Sequence, residues 1–133
     1  MEKEFNMKEL EIEWKHLDVD GKTCARCAGT GDEIRQFIHR LHEECATQDV
    51  HITLKEVKLT EKEIEESNRI FINGIPLEEI IPETTVSQND CPSCSDLLGS
   101  STCCRTIIHS GREYETIPQQ LIRKAVCKIA ACC

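Results

Sequence analysis

The stretch from Leu10 to Leu41, LEIEWKHLDVDGKTCARCAGTGDEIRQFIHRL, decides how the rest of the chain is read. Leu10, Ile12, Trp14 and His16 alternate with Glu11, Glu13 and Lys15. A period of two is that of a strand with one buried face. Asp18 to Thr23, with Gly21, reads as a turn, and Cys24-Ala25-Arg26-Cys27 follows. The period then changes. Ile34, Phe37, Ile38, Leu41 and Cys45 fall at i, i+3, i+4, i+7 and i+11, one face of a helix. Thr30 and Glu33 have capping-box spacing, which would start this helix late and leave both thiols on the preceding loop. An early start, with Gly29 and Gly31 tolerated in the first turns, would put the Cys24 sulfur at the helix N-terminus. A redox dithiol needs two thiols placed in this way between a strand and a helix. One sulfur is exposed and favoured as thiolate by the partial positive charge of the helix end, and the other lies close enough to resolve a mixed disulfide.

Working outward, Val50, Ile52 and Leu54 alternate as a second strand that ends near Lys58. Thr60 to Glu63 is another capping box and opens a short helix reaching about Asn68. Ile70-Phe71-Ile72 reads as a third strand, and Asn73-Gly74 as a hairpin turn. Residues 75–81 return as a strand that Pro76 confines to an edge. Composition shifts at Pro82. Residues 82–103 combine Thr, Ser, Asn, Asp and Gly with Cys91-Pro92-Ser93-Cys94 and Cys103, and read as an inserted loop. Arg105 to His109 is a strand, turned at Ser110-Gly111-Arg112, with Glu113 to Ile117 as its partner. Thr116, Pro118 and Gln119 open a last helix with a buried stripe of Leu121, Ile122, Ala125, Val126, Ile129 and Ala130. The expectation is one α/β domain over residues 1–133, ordered β-α-β-α-β-β-α. Its mixed central sheet is flanked by helices and interrupted by the Cys-rich insertion at 82–103.

Composition bounds the function. The 133 residues are enough for one core, which must rest on Ile, Leu and Val because only 4% are aromatic. A net charge of −8 lacks the basic face that phosphate backbones require, which argues against nucleic acid as a partner. No apolar run approaches a membrane span, so no membrane partner is expected. The charged start Met1-Glu2-Lys3-Glu4-Phe5 is unlike a signal peptide, and the expected location is cytoplasmic. There are 10 cysteines, and eight fall in the close pairs 24/27, 91/94, 103/104 and 132/133. In an intracellular chain such pairs point to metal binding or catalysis rather than to a disulfide framework.

Cys24-Ala25-Arg26-Cys27-Ala28-Gly29-Thr30 resembles the active-site segment of small archaeal redox thioredoxins, and Ile70-Phe71-Ile72-Asn73-Gly74 their later strand and turn. The chain thus resembles the thioredoxin/glutaredoxin superfamily from about residue 10 to 131, with 82–103 outside the shared core. It is also similar to an uncharacterised prokaryotic family of that clan with a Cys-rich insert. The resemblance implies that Cys24 is the attacking thiolate and Cys27 the resolving thiol. The superfamily usually carries a cis-proline before the third strand. Here that place holds Asn68-Arg69.

Two functions of different class follow. The first is a thiol–disulfide oxidoreductase that needs no cofactor. Cys24 and Cys27 would be catalytic, acting on a protein or small-molecule disulfide and recharged by a thioredoxin reductase-type reductant; the alternative for this pair is a structural or vestigial role, or half of a metal site. The second is a non-catalytic protein for zinc or another soft metal, with Cys91, Cys94, Cys103 and Cys104 as ligands. Cys-Pro-x-Cys makes a good half-site for a tetrahedral ion. Adjacent Cys103 and Cys104 point apart if extended, so only one binds with ease, and His109 or a terminal cysteine is an alternative. Cys132 and Cys133 read as an exposed, oxidisable pair, and Cys45 as a small buried hydrophobe. Trp14 reads as core, His16 as a core or edge histidine, and His39 and His42 as part of a solvated face. A non-catalytic interaction module is a third, weaker reading.

Overall fold

The computed structural model describes residues 8–44, 50–100 and 102–130. Strand β1 (Lys8–Leu17) leads to helix α1 (Ala25–Glu44), β2 (Val50–Leu59) and a 3-10 helix (Glu61–Glu66). Next come β3 (Arg69–Ile72), β4 (Ile75–Pro76) and the single turn α2 (Leu77–Ile80). The chain continues with β5 (Thr84–Asp90), α3 (Pro92–Leu98), β6 (Cys103–His109), β7 (Arg112–Tyr114) and α4 (Gln119–Ala130). The fold is mixed α/β.

The strands form two sheets rather than a single central one. The first has the order β2-β1-β3-β4 and the second β5-β6-β7. β1 runs parallel to β2 over its whole length, from Lys8 opposite Val50 to Leu17 opposite Leu59. β3 lies antiparallel on the other side of β1, with Ile12 opposite Ile72. Leu10, Ile12 and Trp14 are buried, as their alternation requires. His16 and Leu17 close the strand inside the core. Beneath the sheets, α1 and α4 supply Ile34, Phe37, Leu41, Leu121, Ile122, Ala125 and Val126. No helix among the described residues is long and apolar enough to cross a membrane.

Helix α1 takes the early start. Its first turn closes with the Ala28 N–H donating to the Cys24 carbonyl at 2.9 Å. Thr30 and Glu33, read from their spacing as a local cap, sit inside the helix and serve another one. Thr30 Oγ1 accepts the Ile117 N–H at 3.0 Å, and Glu33 Oε1 accepts the Gln119 N–H at 2.9 Å, where α4 begins. The capping groups were legible, but the orphan donors they satisfy lie far along the chain. Glycine is tolerated in these turns because neighbours come too close for a side chain. A Cβ at Gly31 would stand 2.5 Å from the Trp14 ring, and one at Gly29 would stand 2.9 Å from Thr116 Oγ1.

The stretch at 82–103, expected as loop, contains β5 and α3. β5 is polar and largely exposed, so it shows no apolar alternation, and it is defined by its antiparallel ladder with β6, Thr84 opposite His109 to Asp90 opposite Cys103. α3 begins with Pro92 in its first turn and ends at Gly99, whose φ of 77° is the left-handed conformation that glycine adopts freely. The strand expected over 75–81 is two residues long and gives way to α2, because Leu77 and Ile80 turn into the core. A buried ion group ties the two sheets together. Arg105 Nη2 on β6 meets Glu78 Oε2 on α2 at 2.6 Å, and Arg69 Nη2 on β3 approaches the same oxygen at 3.8 Å.

Candidate metal centre

Four thiols converge where α1, α3 and β6 meet. Cys24 immediately precedes α1, Cys91 caps α3, Cys94 lies within α3 and Cys104 sits on β6. Their Sγ atoms all lie within 4.8 Å of one another. All four residues are at most 1% exposed. Thiolates around a tetrahedral zinc stand about 3.8 Å apart, given Zn–S bonds of about 2.3 Å, so the four sulfurs match the span of one ion. The arrangement can hold a metal ion.

Local sequence explains each position. The turn before α3 is pinned by the Cys91 N–H donating to the Thr102 carbonyl at 2.9 Å. Ser95 Oγ donates back to the Cys91 carbonyl at 2.9 Å and accepts the Thr102 N–H at 2.9 Å, which joins the two ends of the α3 segment. Cys94 follows one helical turn after Cys91, so Cys-Pro-Ser-Cys turns both sulfurs inward. Ser93 Oγ accepts the Ala25 N–H at 2.8 Å and docks this segment on the start of α1. Arg26 is 7% exposed and braces the other side. Its guanidinium donates to the Asp90 carbonyl at 2.5 Å and the Cys104 carbonyl at 3.5 Å, and pairs with Glu115 at 3.3 Å.

The electrostatics mark one sulfur as the anion. Hydrogen bonds from Cys104, then from Cys27 and Cys94, hold the Cys24 thiol far below its ordinary range. Its partners move the other way. Cys94 is raised by its hydrogen bonds to Cys104 and Cys24 and by burial. Cys104 is pushed up to about 12, chiefly by its hydrogen bond to Cys24. Cys27 is raised by its hydrogen bond to Cys24 and by burial. The shared pattern is that neighbouring thiols hydrogen-bond toward Cys24, which favours negative charge there over charge on its partners.

The sites expected from sequence are thus regrouped. Cys24 and Cys27 were paired as an exposed dithiol; both are fully buried, and Cys24 stands within the thiol quartet while Cys27 touches Cys24 from outside it. Cys91, Cys94 and Cys104 come together as expected of ligands. Cys103, also expected as a ligand, is exposed and outside the quartet, because neighbours on a strand face opposite ways. His109 lies at the far end of β6, hydrogen-bonded to Thr84 at 2.9 Å. Cys127 is half-buried on α4, and Cys45, Cys132 and Cys133 lie outside the described residues. Sequence reasoning missed that Cys24 completes the set. Nothing in its neighbourhood signals a partner so far along the chain.

A family model described as a domain of unknown function (DUF2703) matches residues 10–126, a span that includes all four clustered cysteines. A protein of Archaeoglobus fulgidus, described only as an uncharacterized protein, is 35% identical over 92 residues, which cover 66% of this chain and 67% of that relative. No solved structure matches the chain. The match runs from β1 into α4 and so takes in both sheets and the thiol cluster: the chain belongs to the DUF2703 family.

Proposed function

We propose that this protein binds a soft metal ion, zinc foremost, through Cys24, Cys91, Cys94 and Cys104, on a thioredoxin-like scaffold in the cytoplasm. The observation that carries the reading is the convergence of four buried sulfurs within 4.8 Å. A closed set of four cysteines with no open position is the donor set of a structural zinc site, and thiolates equally favour heavier soft metals. Binding would join the start of α1 to α3 and β6, so the ion would hold the second sheet against the first. The element order of the first sheet and α4, with the 3-10 helix in second-helix position, supports the scaffold part of the proposal.

A second reading is thiol–disulfide exchange, with Cys24 attacking a protein or small-molecule disulfide, Cys27 resolving it, and a thioredoxin reductase-type reductant restoring the pair. The thiolate state of Cys24 and its hydrogen bond from Cys27 favour it. Burial of both sulfurs means that this chemistry would first require the cluster to open.

Elemental analysis of protein purified without chelator, combined with an insulin-reduction assay, separates the two. About one zinc per chain, lost on Cys91→Ser, with no insulin reduction, supports metal binding. Protein that arrives without metal, takes up none on titration and reduces insulin through Cys24 and Cys27 overturns it.

A further inference from the structure

Cys24 belongs to two sets of thiols at once. It is one corner of the quartet with Cys91, Cys94 and Cys104, and it neighbours Cys27, which is fully buried in the same core and outside the quartet. Cys24 precedes α1 and Cys27 lies in its first turn, three residues on, where side chains are neighbours. That spacing lies inside the reach of a disulfide. A bond between them would remove one ligand and leave the other three in place.

We infer that metal occupancy and a Cys24–Cys27 disulfide are mutually exclusive states of this site, so that hydrogen peroxide expels the ion by oxidising that pair. The inference rests on the metal-binding reading above. The oxidant must be small, because neither sulfur is exposed to a bulky disulfide. The Cys24 thiolate attacks one peroxide oxygen, the O–O bond breaks, and hydroxide leaves with the electron pair and is protonated to water. Cys24 is then a sulfenic acid. The Cys27 sulfur attacks it, forming the S–S bond, and the sulfenic oxygen leaves as a second water with the Cys27 proton. Two thiols are oxidised and one peroxide is reduced. The metal keeps its charge and loses one of four donors, which lowers its affinity. Cys27 thereby has a use that coordination alone does not give it.

The test uses the zinc-loaded chain, wild type and Cys27→Ser, with Cys27→Ala as a second variant. Zinc release into a colorimetric chelator is followed after addition of hydrogen peroxide, and disulfides are mapped by mass spectrometry after alkylation. Wild type is expected to release its zinc together with a Cys24–Cys27 disulfide, and a dithiol reductant should restore binding. Cys27 variants should bind zinc as wild type does and release it at least about tenfold more slowly. Equal release rates, or a wild-type disulfide mapped between Cys94 and Cys104 instead, overturn the inference while leaving metal binding intact. If the Cys27 variants fail to fold, the wild-type disulfide map decides. Wild type that takes up no zinc fails the metal reading itself, a different result from zinc that binds and ignores Cys27.

Discussion

The Sγ of Cys104 on β6 stands 2.8 Å from that of Cys94 on α3, as the donor of a hydrogen bond. Two thiolates on one tetrahedral ion stand about 3.8 Å apart. An incoming metal must therefore displace the shared proton and spread the pair.

Metal affinity should accordingly depend steeply on pH. Cys94 and Cys104 both titrate above the ordinary thiol range, so they are protonated at neutral pH and must lose their protons to bind. Cys24 is held well below its ordinary range by the hydrogen bonds of its neighbours, so it is the ligand expected to give up its proton most readily. Cys94 and Cys104 alone then release two protons per ion, so the dissociation constant should rise at least about a hundredfold for each unit of pH decrease near neutrality. Calorimetric titration with zinc in buffers of different ionisation enthalpy counts these protons. Binding without proton release would exclude Cys94 and Cys104 as ligands.

The ligand set is separable from its neighbours by substitution. Cys24→Ser, Cys94→Ser and Cys104→Ser should each weaken zinc binding by more than about a hundredfold, since losing a donor exceeds the usual cost of disturbing a ligand's support. Cys103→Ser, one residue from a ligand but exposed, should leave affinity unchanged. A competition titration against a chelator of known affinity reads both. A Cys103 variant that loses the metal would place the site elsewhere.

Gly31 should resist the most ordinary stabilising substitution. Gly→Ala in an exposed helix interior gains about 1 kcal/mol. At Gly31 the added methyl meets the Trp14 ring at 2.5 Å, and Gly31→Ala is expected to cost about 1–3 kcal/mol instead. Gly29→Ala meets only the Thr116 side chain and should cost less. Urea denaturation of the two variants orders them, and a stabilised Gly31→Ala would contradict the packing of β1 on α1.

Glu78 should matter more than a surface carboxylate. It is 11% exposed, and it pairs with Arg105, which is 8% exposed. Glu78→Gln leaves a buried guanidinium without its counter-charge, a change that costs about 3–5 kcal/mol. Thermal or denaturant melts measure it. A neutral outcome would mean that Arg69 and Arg105 find other partners.

How much of this was legible in the sequence depends on how local each signal is. The alternation of Leu10, Ile12 and Trp14 and the helical stripe from Ile34 to Leu41 are local, and they specify β1 and α1 correctly. So do the Asn73-Gly74 turn and the stripe of α4. The polar β5 carries no such pattern, since the ladder with β6 defines it and not burial, and it reads as loop. At the site, the Cys91–Cys94 half was evident from Cys-Pro-x-Cys. The choice between Cys103 and Cys104 turned on which face of β6 points inward. Residues from Cys104 through Ile107 are all buried, so no alternation reveals that face. That Cys24 joins Cys91, Cys94 and Cys104 while still touching Cys27 is a tertiary fact, visible only when α3 docks on the start of α1.

The quartet draws one donor, Cys24, from the early part of the chain and three, Cys91, Cys94 and Cys104, from a much later segment. Closing so wide a ring restricts the unfolded chain much as a long-range covalent link does. It also sets an order of events. During synthesis the fourth donor does not exist until β6 has been made, so an ion bound by all four sulfurs would come as a late seal on a nearly finished domain and not as a template for early folding.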